Sequence, residues 1–163
     1  MLDSWAEFIR WFLFCIPIIF SPGPANIAVA RISASHGFVS SIKFQLGLLF
    51  IVIIYGIVSG LGAQVLISNY PNVFTSIQYL GAFYVFYLAY KFSRMGKPED
   101  SKSSKSLSFW DGIFVQSLNT KLITFDAVMY SQFLGDRPGF GELISVVVGQ
   151  TILGFLCYAL WGG

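Results

Sequence analysis

An apolar stretch from Trp11 to Val29 is long enough to cross a bilayer, and Ser21-Pro22-Gly23-Pro24-Ala25-Asn26 occupies its middle. Proline has no amide hydrogen and its ring displaces the carbonyl four residues earlier, so Pro17, Pro22 and Pro24 deprive the carbonyls of Leu13, Ile18 and Phe20 of their helical donors. Hydrocarbon offers no replacement. Irregular backbone at membrane depth persists only where protein covers it or where it borders a wet cavity. The stretch is therefore expected to be a broken helix turned toward the protein interior, the pattern that points to a transporter's binding site. Gly23 and Pro24 fit the N-cap and first residue of a second half-helix. The amides of Ala25, Asn26 and Ile27 would then be free, and together they suit a carboxylate. The plainer alternative is a kinked helix whose prolines serve packing alone.

The rest of the chain is of the same character. Of its 163 residues 55% are hydrophobic and 11% charged, against about 25% charged in a soluble domain. The expected fold is an all-α, polytopic membrane helix bundle. A net charge of +2 does not suit nucleic acid. Further spans are expected from Phe44 to Ile67, Val73 to Phe92, Phe109 to Phe133 and Leu143 to Leu160, with a lysine- and serine-rich linker between the third and fourth. The segment before the first span holds Asp3 and Glu7 with a single Arg10, which argues against a cleaved signal peptide. Arg31, Lys43, Lys91, Arg94, Lys97, Lys102 and Lys105 fall on one side of these spans, and Arg10 and Arg137 on the other. Because cytoplasmic loops are rich in Lys and Arg, the N-terminus is placed outside and the Arg31 and Lys97 loops inside.

Chemistry concentrates in the fourth span, which carries Gln116, Asn119, Lys121 and Asp126 among apolar residues. A lysine or aspartate in mid-membrane costs about 2.5 to 3.5 kcal/mol on insertion scales, so each needs a partner or water. On a regular helix Gln116, Asn119, Asp126 and Tyr130 share a face, whereas Lys121 lies about 140° from Asp126. Either the helix breaks near Asn119 and Thr120 or the two charges find separate partners. A purely structural charge compensation is the alternative to a binding role. Gly56 and Gly60 form a small-xxx-small pair for close helix packing, and Tyr79, Phe83, Phe86 and Tyr90 form an aromatic stripe expected in the core. Trp5, Trp110 and Trp161 fit interfacial anchors. Cys15 and Cys157 are expected to pack as small apolar groups. No metal, cofactor or catalytic motif is present.

These residues resemble the lysine exporter and homoserine/threonine exporter (LysE/RhtB) superfamily of bacterial amino-acid efflux proteins. Ser21-Pro22-Gly23-Pro24 is similar to its first-span Thr/Ser-Pro-Gly-Pro signature. Leu80-Gly81-Ala82-Phe83-Tyr84 with Tyr87-Leu88-Ala89-Tyr90-Lys91 resembles its third span, and Phe109 to Gly112, Asn119-Thr120-Lys121 and Gln132-Phe133 its fourth. The resemblance implies two inverted three-helix repeats of six spans in all. Here the first repeat would be residues 1–92, the cytoplasmic linker 93–108, and residues 109–163 a second repeat with its sixth span missing. Thr120 stands where the family has proline.

The implied function is export of an amino acid or derivative across the bacterial cytoplasmic membrane by proton exchange. Gly23, Pro24, Ala25, Asn26, Asn119 and Lys121 would bind substrate, Asp126 and Gln116 would couple it, and Pro22 and Thr120 would mark the two helix breaks. The implied partners are the substrate, protons and the lipid bilayer, with a homo-oligomer compatible. A truncated, non-transporting membrane protein or assembly partner is the alternative.

Overall fold

The computed structural model describes residues 5–63, 107–134 and 138–163, together with separate positions between 69 and 90. Most of the expected third span, and residues 93–106 of the expected linker, lie outside the described residues. What is described is helical, as expected. Helix α1 (Trp5–Phe20) continues through Pro17 and stops before Ser21. Helix α2 (Pro24–His36) resumes after Gly23, and the two meet at 56°. The first apolar stretch is thus a broken helix.

The loop expected around Arg31 and Lys43 shrinks to a single residue. Gly37 joins α2 to α3 (Phe38–Val58) with φ 84°, a left-handed conformation that costs glycine little. Helix α3 ends in a wider π-type turn, Ser59–Ala63, that kinks at Gly62, whose φ of 105° is non-helical. The fourth expected span is two helices, α4 (Phe109–Ser117) and α5 (Thr120–Phe133). The last helix, α6 (Phe140–Gly162), is continuous.

Among the described residues two helices, over Phe38–Gly62 and Phe140–Gly162, are long and apolar enough to cross a membrane, and the bent pair α1 and α2 makes a third if taken as one span. At 1.5 Å per residue the 25 residues of the first reach about 37 Å, more than a ~30 Å hydrocarbon core. Their outward faces stay apolar, with Leu46, Phe50 and Ile54 exposed on α3 and Val148, Ile152 and Phe155 on α6. Lipid tails can solvate such a surface where water cannot. The aromatic stripe expected in the core is also exposed at Tyr79, Phe83, Phe86 and Tyr90. Its spacing gave the face but not what that face meets, because in a bilayer an apolar face can lie against lipid at no cost.

Three clusters form the interior. Trp11, Cys15, Phe125, Met129, Tyr130 and Val146 join α1, α5 and α6. Ala25, Val29, Phe44, Leu48 and Tyr158 join α2, α3 and α6. Ile51, Val52 and Leu122 fill the space between α3 and α5. Both cysteines are buried free thiols.

Glycines set the tightest approaches. A Cβ on Gly47 would strike the carbonyl of Phe109, and one on Gly112 the carbonyl of Phe44, so α3 and α4 cross backbone against backbone. The Gly56 and Gly60 pair packs as expected. A Cβ on Gly56 would come within 2.6 Å of the Tyr130 hydroxyl, and one on Gly60 would meet Leu143.

Candidate functional site

The first break is dictated by its prolines. Gly23 is the N-cap of α2, and Pro24 takes the first helical position, where its missing N–H costs nothing. The Gly23 backbone is extended (φ −157°, ψ 171°), a conformation open to any residue, so the turn itself does not require glycine. The space does. A Cβ there would lie 3.0 Å from Lys121 Cδ and 3.3 Å from its Nζ. The Ile27 amide donates to the Gly23 carbonyl at 2.9 Å, which corrects the expected set of free amides. Only Ala25 and Asn26 precede the first intrahelical bond with an N–H to offer.

On the opposite side of the gap, four successive carbonyls ending α1 accept hydrogen bonds from side chains. Ser21 Oγ donates to Ile18 at 2.8 Å. Ile19 accepts from Asn26 Nδ2 at 3.0 Å and from Cys157 Sγ at 3.3 Å. Trp161 Nε1 donates to Phe20 at 3.3 Å. The Ser21 carbonyl accepts from Asn26 Nδ2 at 2.9 Å and from Lys121 Nζ at 2.7 Å. The expected orphans Ile18 and Phe20 are thus satisfied within the protein. Trp161, read from sequence as an interfacial anchor, is half-buried and closes a helix end. Asn26 braces the gap from within, buried at 4% exposure.

The second break forms without a proline. Asn119 leaves the helical path (φ −79°, ψ 95°) and caps α5, its Oδ1 accepting from the Lys121 amide at 3.2 Å. Its Nδ2 donates to Gln116 Oε1 at 2.9 Å, and Gln116 Nε2 donates to the Tyr158 hydroxyl at 3.0 Å. Tyr55 Oη donates to the Ser117 carbonyl at 2.8 Å, tying the end of α4 to α3. Thr120 sits at the first position of α5, where proline is also at home.

Asp126 is 1% exposed. Its Oδ1 accepts from Gln150 Nε2 at 2.6 Å, while Tyr130 Oη donates to Gln150 Oε1 at 3.3 Å. Its Oδ2 has no hydrogen-bond partner among the described residues. On an unbroken helix Asp126 would share a face with Gln116 and Asn119. The structure separates them into two networks, because the gap between α4 and α5 ends the shared face. Lys121 and Asp126 do find separate partners, and the helix breaks as well.

Both breaks open onto one cavity of about 50 Å³, room for a few waters or one end of a small molecule. Its polar lining includes Asn26, Gln116, Asn119, Lys121 and Gln150, its apolar lining Ile19, Val52, Leu122 and Phe125. Among the described lining residues Lys121 is the only charged one, and Gln150 stands between the cavity and Asp126. Of the residues expected at the site, Gly23, Ala25, Asn26, Gln116, Asn119 and Lys121 line this space, and Pro22, Pro24, Thr120 and Asp126 do not. Also lining it, and not expected from the sequence, are Gln150, Gly154 and Tyr158, which recur every fourth residue on one face of α6. That spacing, two polar groups and a glycine in an apolar helix, is the signal that would have found them.

Two broken helices thus face one cavity with a few polar groups inside an apolar bundle. Residues 16–162 match the LysE type translocator family. The chain belongs to that family. It is 29% identical over 150 residues to the cysteine/O-acetylserine efflux protein of Escherichia coli strain K12, covering 87% of this chain and 75% of that protein. Proteins of the same name from Shigella sonnei strain Ss046 and Escherichia coli O6:K15:H31 stand at the same identity and coverage. No solved structure matches. The LysE match spans both breaks and every polar residue of the cavity.

Proposed function

We propose that this LysE-family chain exports an amino acid or close derivative from the bacterial cytoplasm, using the cavity between its two helix breaks as the binding site and a proton carried by Asp126 as the coupling ion. The observation that carries this reading is the convergence of both breaks on one cavity lined by the Lys121 cation. The Ala25 and Asn26 amides, with Gly23 and Pro24 shaping the turn and Lys121 opposite, suit a carboxylate. Asn119 and Gln116 supply neutral polar contacts. Asp126, closed off by Gln150 and with one bare oxygen, is placed to exchange a proton when that amide moves. The efflux activity named for the relatives supports export of cysteine, O-acetylserine or molecules of that size. The excess of basic residues on one side of the spans, with Arg31 and Lys43 flanking the Gly37 turn and Lys97, Lys102 and Lys105 in the linker, supports an inner-membrane orientation with the N-terminus outside.

The test is efflux from cells, or uptake into inverted membrane vesicles, driven by an imposed proton gradient. Asp126→Asn keeps the shape and removes the exchangeable proton, so gradient-driven transport is expected to fall at least tenfold with the protein still present in the membrane. Undiminished transport by that variant would remove Asp126 from the coupling step.

A further inference from the structure

The gap between α1 and α2 brings two opposite helix poles together. The carbonyl end of α1 carries partial negative charge, and the amide end of α2, three residues later, carries partial positive charge. A zwitterion with an ammonium and a carboxylate on one carbon matches that pair of poles. The carbonyl pole already holds an ammonium group, for Lys121 Nζ sits 2.7 Å from the Ser21 carbonyl, reaching across 100 residues of sequence. Building on the transport reading above, we propose that the carbonyl end of α1, centred on Ser21, is the subsite for the substrate's ammonium group, and that Lys121 is a tethered stand-in occupying it when substrate is absent.

Three observations support the assignment. The Ser21 carbonyl has no backbone donor to compete, since the residue four positions on that would supply one is Ala25, part of the free first turn of α2. Two side chains donate to it: Asn26 Nδ2, at 2.9 Å, takes one lone pair and stays, and the other is the flexible end of a lysine packed over Gly23, able to withdraw without moving backbone. And Lys121 borders the same cavity as the Ala25 and Asn26 positions. When a zwitterion enters, its ammonium takes the Ser21 carbonyl, and the displaced Lys121 turns to the arriving carboxylate. The positive charge at the carbonyl pole is conserved throughout, so no bare charge is left in a low-dielectric site. The consequence is a substrate class. A transported molecule must carry a free ammonium group, and an amino acid whose nitrogen is acylated cannot dislodge Lys121.

Two experiments decide it. In Lys121→Ala the subsite is vacated, so n-propylammonium should bind there and raise the melting temperature of the purified protein in a saturating manner. Tetramethylammonium, which has no N–H, should leave it unchanged, and wild type should respond to neither. Failure of n-propylammonium to stabilise the variant would overturn the subsite. If Lys121→Ala does not fold, the decision rests on wild-type membranes offered O-acetyl-L-serine and its isomer N-acetyl-L-serine at mildly acidic pH, where the acetyl group stays in place. O-Acetyl-L-serine is expected to move at least tenfold faster, and equal rates would overturn the proposal. Transport of neither isomer would count against the transport reading, and where Lys121→Ala folds, its stabilisation by n-propylammonium would still support the ammonium subsite.

Discussion

The two helix breaks reach the same end by different physics. At the first, Pro22 and Pro24 remove donors that no rearrangement of side chains could restore, and the rest of the protein closes the exposed carbonyls from α5 and α6. At the second, every residue from Ser117 to Lys121 has an amide, and the helix stops because the Asn119 side chain offers the backbone a better arrangement. One break is imposed covalently and sealed from a distance. The other is made by a single polar side chain and its near neighbours. A covalent break should survive the loss of any one seal, whereas a break held by one side chain should not survive losing it.

Asn119→Ala is the strongest challenge to that contrast. It removes the N-cap, worth about 1 kcal/mol, and strands the Gln116 Oε1 in a buried site at a further cost of about 2 kcal/mol. The expected loss is about 3 kcal/mol, seen as a lower melting temperature in detergent. Trp161→Phe takes away one seal at the first break, and with the other carbonyls still satisfied the loss should be about 1 kcal/mol. If the two losses were equal, the asymmetry would be gone. Gly23→Ala tests the space beside Lys121. The lysine can retreat from the added methyl, so stability should change by less than about 1 kcal/mol, while export falls severalfold as Nζ leaves the Ser21 carbonyl. Thr120→Pro asks whether the second break tolerates being made covalent. The preceding Asn119 is already extended and Thr120 holds the first helical position, so the change should be neutral or raise stability by about 0.5 kcal/mol. A marked loss would mean that the Thr120 amide is in use.

This contrast also decides what could be read from the chain beforehand. Pro22, Gly23 and Pro24 announce the first break because proline's geometry is the same in any context, and the N-cap and first helical residue fall where expected. The second break was legible as an alternative, since Asn119 both caps helices and tolerates their interiors, and only packing decides between the two. The seals were not legible. Cys157 and Trp161 meet Ile19 and Phe20 across 138 and 141 residues of sequence, and nothing local to either residue marks it as a donor to a helix end. The assignment of Asp126 to the Gln116 face failed for a related reason. Helical periodicity was extended across a point where the helix is interrupted, and Gln150, the residue that actually holds the carboxylate, lies on another helix.

The crossing of Gly47 and Gly112 locks one part of the bundle in register. With the main chains of α3 and α4 in direct contact, sliding there would drive carbonyl into Cα. The second break follows at the end of α4, and Lys121, the second residue of α5, stands on its far side.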